Sequence, residues 1–277
     1  MKRHILFLLL TVLSCGYVNG AGFLQETKIY SDTIATMKLR FIEMDGAEWK
    51  IRFSDKGTAG WNKKWFVDGE KAFVCNTRDG IRFDAGTEPA SDADHSVLWT
   101  KKSFTGDVKI EYDFTRIDSL DRFVNIIYIQ AEGSGETGYD KDIMKWNDKR
   151  RIPAMKEYFN HMNTIHISYA AYENDPVGPN DDYIRARRYM PEWKRGLEGT
   201  ELSPEYLDPM VFEPGITYHM TFIKRAGEII MKVTWGDQGR YYYFSAENFP
   251  TVVSGRIGFR QMSGRQSVYS NIRIFTL

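Results

Sequence analysis

Short alternations of apolar and polar residues, punctuated by Gly, Asp and Asn, run through most of the chain. "DVKIEYDFTRI" places Val108, Ile110, Tyr112 and Phe114 on one face, the period of two expected of a strand with one buried side. "FVNIIYIQAEG" follows it at hairpin distance. "MKLRFIEM" and "WKIRFS" flank Asp45-Gly46 and read as a hairpin, as do "KAFVCN" and "GIRFDAG" around "TRDG". Farther on come "NTIHISYAAY", "YIRARRYM", "ITYHMTFIKRAG", "EIIMKVTWG", "RYYYFSAENF", "GRIGFRQM" and "SVYSNIRIFTL". About a dozen strands with turn signals between them, and no strand–helix alternation, predict an all-β sandwich of two antiparallel sheets. Residues 139–160, broken at Pro153, read as an insertion with one or two short helices. Residues 191–214 read as a long ordered loop.

The first residues break this pattern. "MKRHILFLLLTVLSCGYVNGAG" has a basic start, an apolar run too short to span a membrane as a helix, and small residues after it. Residues 1–20 are therefore expected to be an export signal, with residues 21–277 forming a single domain. "VNG" before Ala21 suits ordinary cleavage. "VLSC" suits a lipoprotein signal ending before Cys15, and the favoured expectation is an outer-membrane or periplasmic lipoprotein held to the membrane only by a lipid on Cys15. That leaves Cys75 as the one thiol of the exported domain, expected to be buried and inert.

Composition adds exclusions. The 277 residues carry 37 Lys and Arg against 37 Asp and Glu, so nothing global points to nucleic acid or an anionic membrane. Two segments, "KWNDKRR" and "RARRYMPEWKR", are locally basic and could face an anionic ligand. "EMDGAE" has the carboxylate spacing of sandwich glucanases, but its Asp-Gly is expected to be a turn tip, where the common-face geometry fails. "GSGETG" fits a dinucleotide-loop spacing without opening a helix, so it reads as a glycine-rich turn. "SDADH" groups two carboxylates and a histidine and reads as a solvated loop. No metal site or cofactor is expected, with a structural calcium left open.

The closing strands "GRIGFRQM" and "SVYSNIRIFTL", with "LWTKKSFTGDVKIEYDF" and "IHISY" earlier, resemble the YesU-like family of exported proteins of unknown function. That family lies within the concanavalin A-like jelly rolls. The resemblance covers roughly residues 70–277. It implies a two-sheet jelly roll with a concave face, and company among polysaccharide-degrading functions.

On such a face, period two brings together Tyr128 and Gln130, His166 and Ser168, Tyr183, Arg185, Arg187 and Tyr189, with Arg260 on a neighbouring strand. Arginine forks and phenol rings suit an acidic sugar. The set has no obvious acid pair and is similar to jelly-roll polysaccharide lyases acting on alginate or ulvan. The expectation is β-elimination on a uronate-containing polysaccharide or oligosaccharide, with or without sulfate. His166 and Tyr189 would move protons, and Arg187, Arg185 and Gln130 would neutralise the carboxylate. Tyr183, Ser168 and Arg260 would bind neighbouring sugars, and His161 is a second candidate base. Two other readings stay open. One is a non-catalytic glycan-binding lipoprotein using loop aromatics such as Trp146 and Trp193. The other is a glycoside hydrolase with loop carboxylates among Glu111, Asp113 and Glu132.

Overall fold

A computed structural model describes residues 20–89, 91–173, 181–207, 209 and 211–277, with side chains from Thr33 onward apart from Glu173 and Asp181. The expected export signal, apart from Gly20, and with it Cys15, lies outside the described residues.

Among the described residues fifteen strands follow one another as β1 (Lys50–Asp55), β2 (Trp65–Asp68), β3 (Phe73–Thr77), β4 (Gly80–Asp84), β5 (Ser96–Thr105), β6 (Val108–Arg116), β7 (Phe123–Gly133) and β8 (Met162–Glu173). The series continues with β9 (Asp181–Tyr189), β10 (Glu201–Leu207), β11 (Thr217–Arg225), β12 (Glu228–Trp235), β13 (Gln238–Ser245), β14 (Ser254–Gln261) and β15 (Gln266–Thr276). They form two antiparallel sheets. One has eight strands in the order β13-β12-β11-β6-β15-β4-β3, with β1 also on β15. The other has seven in the order β10-β9-β8-β7-β14-β5-β2. The core between them is aromatic. Tyr112, Phe114 and Phe222 from the larger sheet meet Tyr169 and Phe259 from the smaller one, all fully buried. Each such ring stabilises the fold by roughly 1.5–3 kcal/mol through burial alone.

The alternations expected to be strands are strands, with one correction. "MKLRFIEM" is not half of a hairpin but the end of a helix, α1 (Gly20–Asp45). Met37, Phe41 and Met44 are spaced by four and three, so they share a helical face. Phe41 and Met44 bury that face against Ile223 and Ile230 on the outer side of the larger sheet. Leu39, which alternation would have placed beside them, is 67% exposed. Asp45 ends the helix and pairs with Lys109 at 2.9 Å rather than forming a hairpin tip. The expected loop 191–214 also contains a strand. β10 was hidden by Pro204 and by a register shift between Leu202 and Tyr206, and it pairs only with β9. Cys75 is free but half-buried rather than enclosed.

The insertion is helical as expected, with a 3-10 segment at Ile143–Arg150 and α2 (Met155–Phe159) on either side of Pro153. It packs on the outer face of the smaller sheet. Trp146 and Tyr158 are buried against Trp99, Tyr128 and Tyr189. "GSGETG" runs from the end of β7 into turns, without a helix.

Candidate functional site

Strand register sets the geometry of the smaller sheet's outer face. His166 on β8 stands between Tyr128 on β7 and Arg187 on β9, and Arg187 faces Glu201 on β10. In the next row Arg260, Ile126, Ser168 and Arg185 lie side by side. The sequence-derived set is thus largely gathered on one face, but most of it is out of reach of solvent. Tyr128, Tyr189 and Arg260 are 0% exposed and His166 is 5% exposed, because the insertion roofs them.

His166 bonds through Nδ1 to the Tyr189 hydroxyl and through Nε2 to Ser168 Oγ at 2.7 Å. Burial, then the positive charges of Arg187, Arg260 and Arg185, hold the imidazole well below its usual pKa. Burial, followed by the neighbouring Tyr128, pushes the Tyr189 phenol well above the ordinary tyrosine range. The pair therefore consists of a neutral ring and a neutral phenol. In a neutral ring one nitrogen donates and the other accepts, so the tyrosine and serine hydroxyls take complementary roles on its two sides.

Gln130 is not part of this face. A bulge between Ile129 and Glu132, with Gln130 at φ 56°, shifts the strand's parity there. Its amide turns to the sandwich edge, donating to the Phe104 and Gly106 carbonyls and accepting from Lys224 Nζ at 2.7 Å. Arg260 shares the face but offers no open subsite. Its guanidinium lies 4.5 Å over the Tyr158 ring and donates to the Pro153 carbonyl and towards His95.

The basic segments are neutralised locally. Arg187 pairs with Glu201 at 2.5 Å, Arg185 with Glu205, and Lys194 with Glu136. Arg185 also lies 4.4 Å over the Tyr183 ring. Of "KWNDKRR", Arg150 is sealed inside, donating to Asp68 at 2.6 Å and to two carbonyls of its own segment. Asp68, which sequence reasoning did not single out, also accepts from Trp99, Tyr158 and Asn147. It is the anchor of the roof. The four donors converge from two separated segments, so no local motif marked it.

Other expectations are also corrected by placement. Trp146, expected to be an exposed platform, is 2% exposed on the underside of the insertion, whereas Trp193 is 38% exposed and stacks on Phe249. Glu111, Asp113 and Glu132 lie in strands rather than loops. The first two are paired with Lys109 and Arg273, and with His219, while Glu132 accepts from Ser254. In "SDADH", Asp94 is buried and paired with Lys71 at 2.6 Å. Among the described residues no three His, Cys, Asp or Glu side chains gather where a metal could be held.

What remains open is the margin of the roof. A cleft of 220 Å³ lies between the end of α2 and the loop after β9, lined by Phe159, Asn160, His161, Met190, Pro191, Lys194 and Gly196. Arg187 reaches that loop at the Leu197 carbonyl. His161 lies just before β8, with its ring stacked 3.5 Å from Tyr139 and its enclosed Nδ1 without a hydrogen-bond partner. Burial, the largest influence, holds its pKa below the usual histidine value. A neutral imidazole, a primary amide and an ammonium beside apolar walls can serve the hydroxyls and the hydrophobic faces of a sugar.

A family model, described as a domain of unknown function (DUF1961), matches residues 60–274. The uncharacterized protein YesU of Bacillus subtilis (strain 168) is 24% identical over 193 residues, covering 66% of this chain and 78% of that protein. A protein of unknown function with a galectin-like fold, also from Bacillus subtilis, superposes with a TM-score of 0.63 at 18% identity, covering 82% of this chain and 97% of the other. The exoplasmic/lumenal domain of VIP36, solved with Ca2+ and Man3GlcNAc, gives 0.55 at 14% identity, covering 83% and 91%. These likenesses establish a lectin-like jelly-roll fold.

Proposed function

The chain belongs to the DUF1961 family of domains of unknown function, and from that premise and the site we propose that it is an exported glycan-binding protein rather than a lyase. One observation carries the reading. The accessible cleft beside the sheet combines Asn160, His161 and Lys194 with the apolar Phe159, Met190 and Pro191, while the expected proton-transfer pair is sealed beneath a roof. The sugar complex of VIP36 supports it by showing that a similar fold can hold an oligosaccharide. Because Lys194, the cation of the lining, already has Glu136 as its carboxylate partner, the ligand at this cleft is an uncharged oligosaccharide.

Binding measured by calorimetry against a panel of neutral oligosaccharides tests this. Saturable binding that weakens about tenfold in Asn160→Ala and His161→Ala is expected, each substitution removing one or two hydrogen bonds. The absence of saturable binding across the panel would sink the proposal.

The contact of His166 with Tyr189 and Ser168 keeps β-elimination as a second reading, one that requires the insertion to lift. Ultraviolet absorbance of unsaturated products from uronate polymers, lost in Tyr189→Phe, would favour it over simple binding.

A further inference from the structure

On the outer face of the larger sheet a second cleft, of 330 Å³, is lined by Ser54, Asp55, Lys56, Asp113, His219, Asn271 and Arg273. It is formed where β1, β6, β11 and β15 meet. His219 lies directly opposite Asp113 on the neighbouring strand, and Ser270 of β15 lies opposite Asp113 on its other side. A register shift after Ser270, with Asn271 at φ 51°, brings the Asn271 amide onto the same carboxylate.

The lining holds acceptors and donors in unequal states. Asp113 receives His219 Nδ1 on one oxygen and Asn271 Nδ2 on the other, each at 2.7 Å. Asp55 likewise receives the Gly57 amide at 2.9 Å and the Trp65 indole at 2.7 Å. Both carboxylates are thus occupied by the protein itself. The donors are less committed. Among the described residues Lys56 makes no ion pair, and Ser54 is exposed. Arg273, 47% exposed, pairs with Glu111 at 2.7 Å. His219, 40% exposed, gives its Nδ1–H to Asp113 and so lines the cleft without adding a free donor. A cleft whose carboxylates are occupied by the protein, while a lysine ammonium and a serine hydroxyl face solvent beside a half-exposed arginine, favours a ligand that brings acceptors and negative charge.

We propose that this cleft binds an oxyanion group, a carboxylate or a sulfate, through Lys56, Arg273 and Ser54, with His219 beside it as a reporter. It is separate from the neutral-sugar cleft on the other sheet and does not depend on it. The anionic specificity expected from the arginines of β9 thereby moves to the opposite face, where both lining aspartates are engaged by neutral or histidine N–H donors rather than by Lys56.

The test is a titration of the full chain with sodium sulfate, and separately with sodium glucuronate, at constant ionic strength held with chloride. The signals of His219 and Asn271 are followed by nuclear magnetic resonance. Saturable shifts with either anion support the site, and the tighter one identifies the group it reads. Lys56→Gln and Arg273→Gln should each weaken binding about tenfold, as expected for loss of a charge-assisted hydrogen bond. Binding of neutral oligosaccharide should be unaltered in both. Shifts that never saturate, or a Lys56→Gln/Arg273→Gln double variant that binds both anions like the parent, would overturn the proposal.

Discussion

His166 illustrates how little a residue's type says about its role until its neighbours are known. A histidine and a serine two apart on a strand were legible as an unusual pair, and the structure does join them through a 2.7 Å bond. The third member, Tyr189, lies 23 residues away and reaches His166 only because β8 and β9 pair in the register that sets Thr164 opposite it. Removing the phenol hydroxyl leaves a buried ring nitrogen without its partner. Tyr189→Phe should therefore cost about 1–3 kcal/mol in urea denaturation, whereas a change at half-exposed Arg185 should stay within about 0.5 kcal/mol. Equal costs at the two positions would contradict the buried assignment. Gln130 shows the opposite case. Strict alternation placed it with His166, but one bulge residue reversed its side, and a bulge leaves no clear mark in composition.

Among the elements, the insertion matters most. Its helices and the break at Pro153 were legible from the loss of alternation. Its docking was not, because the contacts that hold it are distant in sequence. Asp68, at the end of β2, gathers Arg150, Asn147 and Tyr158 from the insertion and Trp99 from β5. Asp68→Ala leaves Arg150 as an unpaired buried cation and should destabilise the protein by about 3–5 kcal/mol, read from denaturant midpoints. A loss below about 1 kcal/mol would mean that the roof is held by its aromatic packing alone. Element α1 teaches a related lesson. Met37, Leu39 and Phe41 satisfy a period of two as well as Met37, Phe41 and Met44 satisfy a helical one, and the exposed Leu39 shows which period packing selected.

At the scale of the whole molecule, buried histidines predict how stability depends on pH. Burial, and then Arg260, lower the pKa of His95 to about 3, and His166 is also held well below its usual value. In the unfolded chain both take up protons near pH 6.5. Between about 6.5 and 3 the unfolded state therefore binds more protons, so stability falls as pH falls through that window and is intact above it. Thermal melts should show Tm dropping by several degrees from pH 7 to pH 5, before carboxylates titrate. The drop should be smaller in His95→Gln. A flat Tm over that interval would contradict the burial of these rings as neutral groups.

The amino-acid sequence alone determined the sandwich class, nearly all the strands, the helical insertion and the resemblance to its family. These rest on periodicity and turn chemistry, which are local. The tertiary structure alone decided which polar residues meet solvent. Opposite charges such as Arg187 and Glu201 cancel only across paired strands, and a roof closes a face only when distant donors converge on one carboxylate. Strand register and packing fix both, so the accessible chemistry moved from the expected groove to its margin and to the opposite sheet.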